Sequence, residues 1–233
     1  MERIDKILSS ALKISRTDVK KLIKKQNVSV NGKHITDPNT KIDPSEDSIN
    51  LNGQPVIYQE HIYIMMNKPK GVISASEDKS VPTVVDLVPE KLKKAGLFPA
   101  GRLDADTTGF VLITDDGDFA HRILSPKKHV EKTYIALLEK EISDSDIERF
   151  KNGIELRDGT LCLESKLERL SDRYVSVVIH EGKYHQIKRM FAALGNRVIE
   201  LHRVSIGSLS LDENLKEGEC REITNDELKL ITN

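Results

Sequence analysis

A cluster of carboxylates beside an apolar run is the part of this 233-residue sequence that most strongly suggests chemistry. The stretch AGRLDADTTGFVLITDDGD, residues 100–118, contains five aspartates and one arginine around the run Phe110-Val111-Leu112-Ile113. Carboxylates this close together bind a metal, face water in turns, or act in catalysis. The rest of the sequence has to decide among these three roles.

Part of the cluster resembles the twelve-residue calcium loop of an EF-hand, because Asp104, Asp106 and Asp115 stand at loop positions 1, 3 and 12. The surroundings argue against calcium. A long helix should precede such a loop, but the preceding GLFPAGRL contains two glycines and a proline. Leu112 stands where a ligand belongs, and the last position lacks the longer Glu that binds bidentately. We therefore expect no metal site.

The second half of the cluster has the composition of a turn. The residues TDDGD end a strand pattern and begin a helical one, so Asp115, Asp116 and Asp118 are predicted to be structural. Asp104 and Asp106 lie instead in a loop that leads into the apolar strand. An aspartate in that position can lie at the floor of a cleft, which makes these two the candidates for chemistry.

Composition and missing motifs exclude several classes of protein. With 38% hydrophobic and 31% charged residues, the chain is typical of a soluble globular protein. It has no signal-peptide pattern and no apolar stretch of the ~18 residues that span a bilayer, which predicts a cytoplasmic location. Two distant cysteines predict neither a disulfide framework nor a zinc site. Motifs for nucleoside triphosphates, dinucleotides, zinc peptidases and serine hydrolases are missing.

Charge is distributed unevenly, although the net charge is -1. Residues 13–33 contain seven Lys or Arg against one Asp, whereas residues 211–233 contain seven acidic residues against three basic ones. A locally basic surface favours a polyanionic ligand, although a run of lysines is more often a solvated face.

The basic segment belongs to a small N-terminal unit. Apolar residues at helical spacing predict a helix in the first dozen residues, and Ser15 is a predicted N-cap for a second helix with the apolar face Val19, Leu22 and Ile23. VSVNGKHI then predicts a hairpin that turns at Asn31-Gly32. Two helices and a hairpin make a small domain.

The remaining chain mixes strand and helix patterns. Strands are predicted over residues 110–114, 133–138, 161–170, 174–180 and 198–204. Helices are predicted over residues 116–124, 143–152 and 184–194, followed by a capping box in TNDELKLIT. These patterns indicate an α+β protein with a mixed, mainly antiparallel sheet and peripheral helices. The turn-rich NLNGQPVIYQEH is expected to join two domains, residues 1–58 and 59–233.

Four motifs resemble one known family. GRLDADTTGFVLITDDG is similar to the G-R-L-D-x-x-T-x-G signature of pseudouridine synthases, and MNKPKG, EKTY and EGKYHQIKRMFAALGN are similar to the companion motifs of the RsuA-type family. Residues 1–57 resemble the S4 RNA-binding domain that this family carries at its N-terminus. The similarity runs in order over nearly the whole chain. Its last motif is most similar to that of the member acting on small-subunit (16S) ribosomal RNA.

The resemblance implies an enzyme that isomerises a specific uridine of ribosomal RNA to pseudouridine after the base is flipped out. Asp104 matches the nucleophile, Tyr134 the tyrosine that stacks on the base, and Lys188 the basic residue that pairs with the aspartate. Many relatives have arginine at the last position, so lysine replaces a bidentate pairing by a point-charge contact. Arg102 is left with three roles: filling the gap of the departed base, contacting phosphate, or bracing the loop.

An RNA-binding surface follows from the same reasoning. The residues predicted to contact RNA are Arg102, Arg16, Lys20, Lys21, Lys24, Lys25, Lys33, Lys127, Lys128, Arg189 and Arg203. The expected partner is ribosomal RNA or a small-subunit assembly particle, with no membrane, no metal and no cofactor, and a monomer is the default expectation. The alternatives are an enzyme acting on large-subunit (23S) RNA and a non-catalytic RNA-binding or ribosome assembly factor.

Overall fold

The computed structural model describes residues 1–12, 14–44, 46–56, 58, 60–125 and 130–232. The chain forms two compact units, Met1–His61 and Ile62–Asn233, and each unit has a hydrophobic core of its own. Lys127 and Lys128, which the sequence predicts to contact RNA, lie outside the described residues. No helix in the described ranges is long and apolar enough to cross a lipid bilayer.

The N-terminal unit combines two helices with short strands. Its elements are β1 (Glu2–Arg3), α1 (Ile4–Leu12), α2 (Arg16–Lys24), β2 (Val28–Val30), β3 (Lys33–His34), β4 (Lys41–Ile42), β5 (Ile49–Leu51) and β6 (Gln54–Pro55). The strands form one sheet in the order β3-β2-β5-β6 and a separate β1–β4 pair. The helices bury their apolar faces in one core with β2, β4 and β5.

Local sequence signals explain this unit. The Ser15 hydroxyl accepts a hydrogen bond from the Asp18 backbone N–H at 3.1 Å, which confirms the predicted cap of α2. Asn31 and Gly32 have φ angles of 51° and 79°, which a tight two-residue hairpin turn requires. The predicted joining segment is partly wrong, because its first residues form the β5–β6 hairpin within this unit.

The C-terminal unit is built on one sheet. Its elements are β7 (Tyr63–Lys68), a 3₁₀ helix (Glu90–Leu92), β8 (Phe98–Pro99), β9 (Thr108–Thr114), α3 (Gly117–Leu124), β10 (Lys132–Leu138), α4 (Asp144–Lys151), β11 (Lys166–Arg169), β12 (Tyr174–Ile179), α5 (Gln186–Ala193), β13 (Val198–Ile206), β14 (Leu209–Ser210), β15 (Cys220–Glu222) and α6 (Asn225–Thr232). The strand order is β11-β12-β10-β13-β9-β7-β15, with β8 and β14 paired to β9 and β13. Only β9 and β13 pair in parallel among the described strands, which confirms an α+β fold with a mainly antiparallel sheet.

The apolar run beside the carboxylates is the middle of β9, a strand buried on both faces. Val111 and Ile113 pack in the core that contains residues of α4 and α5, while Phe110 and Leu112 pack in the core that contains residues of α3 and α6. Since successive side chains of a strand point to opposite faces, a strand covered on both sides must be apolar throughout.

The turn after β9 uses its carboxylates as structural groups, as the sequence predicts. Asp115 accepts the backbone N–H of Ile62 at 2.8 Å and forms an ion pair with Lys94 at 2.7 Å. Asp116 is the N-cap of α3 and accepts the backbone N–H of Phe119 at 2.9 Å. Asp118 lies exposed in the first turn of that helix. These contacts place a loop and a helix at the end of β9 that is remote from Asp104.

One predicted strand is longer than the strand in the structure. The sequence predicts a strand over residues 161–170, whereas β11 spans Lys166–Arg169 only. Leu161 forms an isolated bridge to Glu155. The residue types of a segment do not by themselves determine how many of its residues form hydrogen bonds with a neighbouring strand.

We expect Gly109→Ala to destabilise the protein by at least about 2 kcal/mol. Gly109 has φ +100°, and an added Cβ would lie 2.3 Å from the backbone oxygen of Arg203 on the parallel strand β13. Gly117→Ala is the matched control, because an added Cβ there has no atom within 4 Å. Urea unfolding of both variants measures the difference, and equal stability of the two would contradict this account.

Candidate active site

An open cleft lies beside the loop that precedes β9. Asp104 and Arg102 of that loop line it, together with Tyr134 of β10 and Lys188 of α5. These elements are far apart along the chain, and the sheet order β10-β13-β9 brings them to one place. The residues that the sequence analysis assigns to one site therefore do share one hollow.

An ion pair joins two sides of the cleft. Lys188 Nζ lies 2.7 Å from Asp104 Oδ2 and 2.6 Å from Asp106 Oδ1, so the ammonium group bridges both carboxylates. The Asp104 and Lys188 side chains are 27% and 24% exposed, which keeps the pair within reach of a ligand. The two aspartates thus converge on a cation that the protein itself supplies. Among the described residues, no three His, Cys, Asp or Glu side chains are grouped to bind a metal.

The contacts of Lys188 with the two carboxylates favour the charged form of the lysine. Burial opposes the charge of Lys188, but the hydrogen bonds and negative charges of Asp104 and Asp106 outweigh it and raise the Lys188 pKa above its usual range. The hydrogen bond from Lys188 lowers the pKa of Asp106. The lysine is therefore a permanent cation at neutral pH, and Asp106, 73% exposed, orients it from the solvent side.

The second oxygen of the Asp104 carboxylate faces a histidine. His185 Nε2 lies 3.4 Å from Asp104 Oδ1, which is longer than an ordinary hydrogen bond. His185 has φ 47°, a left-handed conformation uncommon outside glycine, and its ring lines the cleft. The predicted start of α5 at Tyr184 is therefore wrong, since the helix begins at Gln186, after this residue.

Backbone carbonyls of the Asp104 loop are bound by a buried lysine. Lys68 is fully buried at the end of β7, and its Nζ donates to the carbonyl oxygens of Pro69 at 2.9 Å, Ala105 at 3.3 Å and Thr107 at 2.8 Å. Burial lowers the pKa of Lys68 to about 8, although the charges of nearby aspartates oppose this. Lys68 pairs with Gly109 in the β7–β9 ladder, which places its amine under the loop.

A serine fixes the other end of the loop. The Ser74 hydroxyl donates to the carbonyl oxygen of Leu103 and accepts the Leu103 backbone N–H, both at 3.0 Å. With Lys68, it determines the backbone path on both sides of Asp104. Sequence reasoning identified the MNKPKG motif but assigned no role to Lys68, and it missed Ser74 and His185. A lysine ending an apolar strand was the available signal for Lys68.

Tyr134 lies at the inner wall of the cleft and is 6% exposed. Behind it is Arg203, whose Nη1 lies 3.4 Å from the Tyr134 hydroxyl oxygen and whose Nε donates to the Phe110 carbonyl oxygen at 2.6 Å. Arg203 is 2% exposed. The prediction that Arg203 contacts RNA is therefore wrong for this conformation, because a phosphate could reach the guanidinium only if the sheet opened. It positions the tyrosine instead.

The other predicted RNA contacts that the structure describes lie at the surface or at the cleft. Arg16, Lys20, Lys21, Lys24, Lys25 and Lys33 are all exposed in the N-terminal unit. Arg102 is exposed at the cleft. Arg189 is 30% exposed and forms an ion pair with Asp158 at 2.5 Å, so it would have to exchange that carboxylate for a phosphate.

Comparison with known families and relatives agrees with the motifs. The model of the family RNA pseudouridylate synthase matches residues 62–193, and that of the S4 domain matches residues 2–48. An uncharacterized RNA pseudouridine synthase of Bacillus subtilis (strain 168) is 45% identical over 233 residues, which cover 98% of each chain. The ribosomal small subunit pseudouridine synthase A of Salmonella typhimurium (strain LT2) is 42% identical over 231 residues, covering 98% of this chain and 99% of the relative.

A solved structure supports the same relationship. The crystal structure of a pseudouridylate synthase is 40% identical in sequence, with a TM-score of 0.70, and the match covers 99% of this chain and 100% of the solved one. The resemblance stated from the sequence motifs is confirmed.

We expect Lys68→Met to lower the free energy of unfolding by about 2–3 kcal/mol, because buried carbonyl oxygens of the loop lose their donor. Lys70→Met is the matched control from the same motif. The Lys70 side chain is 56% exposed and pairs with the exposed Glu200, so its loss should change stability by less than about 1 kcal/mol. Denaturant unfolding compares them, and a Lys68→Met protein as stable as the control would refute the anchoring role.

Proposed function

The chain belongs to the RNA pseudouridylate synthase family and is an RNA pseudouridine synthase, and from this premise we propose that its substrate is one uridine of small-subunit ribosomal RNA. The observation that carries the mechanism is the 2.7 Å contact between Lys188 Nζ and Asp104 Oδ2 in a cleft that Tyr134 also lines. The choice of small-subunit RNA is supported by full-length similarity to relatives named ribosomal small subunit pseudouridine synthase A.

Asp104 acts as the nucleophile in this proposal. The N-glycosidic bond from ribose C1' to uracil N1 breaks, and a bond from C1' to C5 forms. The C5 proton is released and N1 takes up a proton, so composition and oxidation state are unchanged and no co-reactant is required. The carboxylate adds either to C1' or to the base and is released again when the bond from C1' to C5 is in place, so the free enzyme is regenerated and the same group serves both routes.

The neighbouring residues assist this step. Lys188 keeps a positive charge beside the carboxylate and fixes its orientation, since it binds Asp104 and Asp106 together. Tyr134 presents its ring to the extruded base, and Arg203 holds that ring from behind. The target base must leave its stack to enter, at a cost of a few kcal/mol that contacts in the cleft recover.

Further binding energy comes from the RNA backbone. The exposed lysines and Arg16 of the N-terminal unit form a basic surface, and Arg102 adds a cation at the cleft. Phosphate contacts of this kind release counterions, so affinity should fall steeply with salt. The proposed partner is ribosomal RNA, free or in an assembling small subunit, in the cytoplasm, and we take the enzyme to act as a monomer.

Asp104→Asn should reduce isomerisation by more than about 1,000-fold, because an amide cannot act as the nucleophile. RNA binding should be retained. The assay is single-turnover tritium release from ribosomal RNA carrying uridine labelled at C5, with small-subunit and large-subunit RNA tested separately. Asp118→Asn, at an exposed position of the same acidic stretch, is the control and should release tritium like wild type.

Three results would count against the proposal. Release from large-subunit RNA alone would contradict the choice of substrate. No release by wild-type protein from any ribosomal RNA or assembly particle would contradict catalysis and favour an RNA-binding assembly factor. Full activity of Asp104→Asn would contradict the nucleophile.

Lys188→Met should slow the same reaction by about 10- to 100-fold, because the nucleophile loses both its neighbouring charge and its fixed orientation. Lys188→Arg retains the charge and should recover most of the rate. The rate of tritium release at saturating RNA concentration distinguishes the methionine variant from the arginine variant. Equal rates for the methionine and arginine variants would show that the cation is not needed.

A further inference from the structure

Tyr184 is an exposed aromatic residue at the mouth of the cleft, and the mechanism above does not use it. Its relative exposure is 71%, in a chain in which only 4% of residues are aromatic. Its ring stacks on that of His185 with centroids 3.9 Å apart and an interplanar angle of 18°. One face of the tyrosine is thus covered, and the high exposure leaves the other face open to solvent.

The ring pair reaches from solvent to the reactive carboxylate. His185 lines the cleft and its Nε2 lies 3.4 Å from Asp104 Oδ1, while the Tyr184 ring stacks on a face of the imidazole. A base that stacks on Tyr184 would therefore lie close to a uracil bound over Asp104.

The segment that carries the ring pair is braced. The Lys183 backbone N–H donates to Gln186 Oε1 at 2.9 Å, and Gln186 Nε2 donates to the buried carboxylate of Glu181 at 2.8 Å. Arg189 Nη1 donates to the Tyr184 carbonyl oxygen at 3.2 Å. Since the backbone is fixed on both sides of Tyr184, little conformational entropy is lost when a ligand stacks on its ring.

We propose that Tyr184 binds the nucleobase adjacent to the target uridine, which stacks on the open face of the Tyr184–His185 ring pair. This inference rests on the RNA substrate of the proposed function. When a uridine is extruded, each neighbouring base loses a stacking partner, and an aromatic side chain at the cleft mouth replaces it. Arg102 is exposed, lines the same cleft and suits a flanking phosphate, whereas Lys183 is paired with Glu181 and would have to exchange that carboxylate for a phosphate.

The first test measures binding of the full-length protein to unmodified small-subunit ribosomal RNA transcript at fixed salt. Tyr184→Ala and Tyr184→Leu should raise Kd by about 5- to 150-fold, the loss expected for one base–aromatic stack. Tyr184→Phe retains the flat ring and should bind like wild type. The Tyr184→Leu variant tests stacking separately from apolar contact, because leucine retains much of the apolar surface but has no ring.

Tyr174→Ala is the matched control for a lost surface tyrosine. Tyr174 is 45% exposed at the start of β12, whereas Ile179 at the other end of that strand lines the cleft, roughly 17 Å away. We expect wild-type affinity and wild-type tritium release from it. Melting temperatures of all four variants should match that of wild type, since both side chains are exposed.

The second test identifies the base. Pseudouridine formed by the enzyme is mapped, and a synthetic RNA segment around that uridine is made with an abasic ribose at one or the other neighbouring position. One of these abasic substitutions should weaken binding of wild type and leave that of Tyr184→Ala unchanged, as expected for two partners of one contact.

The outcomes separate this inference from the function on which it rests. Unchanged affinity of Tyr184→Ala for the transcript, or affinity of Tyr184→Leu equal to that of wild type, would overturn the inference even if the enzyme is active. Equal sensitivity of wild type and Tyr184→Ala to both abasic positions would also overturn it. If wild type releases no tritium but Tyr184→Ala still binds more weakly than Tyr184→Phe, the proposed reaction fails and stacking of an RNA base on Tyr184 stands.

Discussion

The ion pair between Lys188 and Asp104 is the contact on which the site depends. Lys188 Nζ lies 2.7 Å from the Asp104 carboxylate and also contacts Asp106, and this shared contact keeps the ammonium group in place. The pair costs desolvation of two ions, which partial exposure of both side chains keeps low. The proposed nucleophile thus has a positive neighbour that the protein itself supplies.

The ion pair can fix the position of the Asp104 carboxylate only because hydrogen bonds also hold the backbone around Asp104. Lys68 and Ser74 bind carbonyl oxygens on both sides of the aspartate, and Gly109 allows the loop to enter β9 against the backbone of β13. Two buried cations, Lys68 and Arg203, therefore fix the backbone beside the proposed catalytic residues. Both donate to backbone oxygens, which accounts for the burial of charged groups that would otherwise be costly.

Recognition of RNA follows from the same geometry. In the proposed function the open cleft receives the single extruded base, and one base carries no information on the sequence around it. We therefore propose that specificity comes from surfaces outside the cleft, namely the basic surface of the N-terminal unit and the Tyr184–His185 ring pair. Backbone contacts position an RNA, whereas stacking on a fixed ring depends on the arrangement of the bases around the target. A Tyr184 contact would therefore link the choice of uridine to the extrusion of its base.

The sequence by itself determined the local elements and the chemistry of single residues. Capping by Ser15, the Asn31-Gly32 turn and the capping of α3 by Asp116 follow from interactions within a few residues, and the continuous apolar run predicts the strand β9. Motifs also identified Asp104, Tyr134 and Lys188, but only through resemblance. The tertiary structure alone decided that Lys68 lies under the loop, that Arg203 is buried behind Tyr134, and that His185 adopts a left-handed conformation just before α5. The reason is physical: these three facts depend on strand register and on contacts between residues up to about ninety positions apart, and no local pattern of residue types specifies which distant groups will meet.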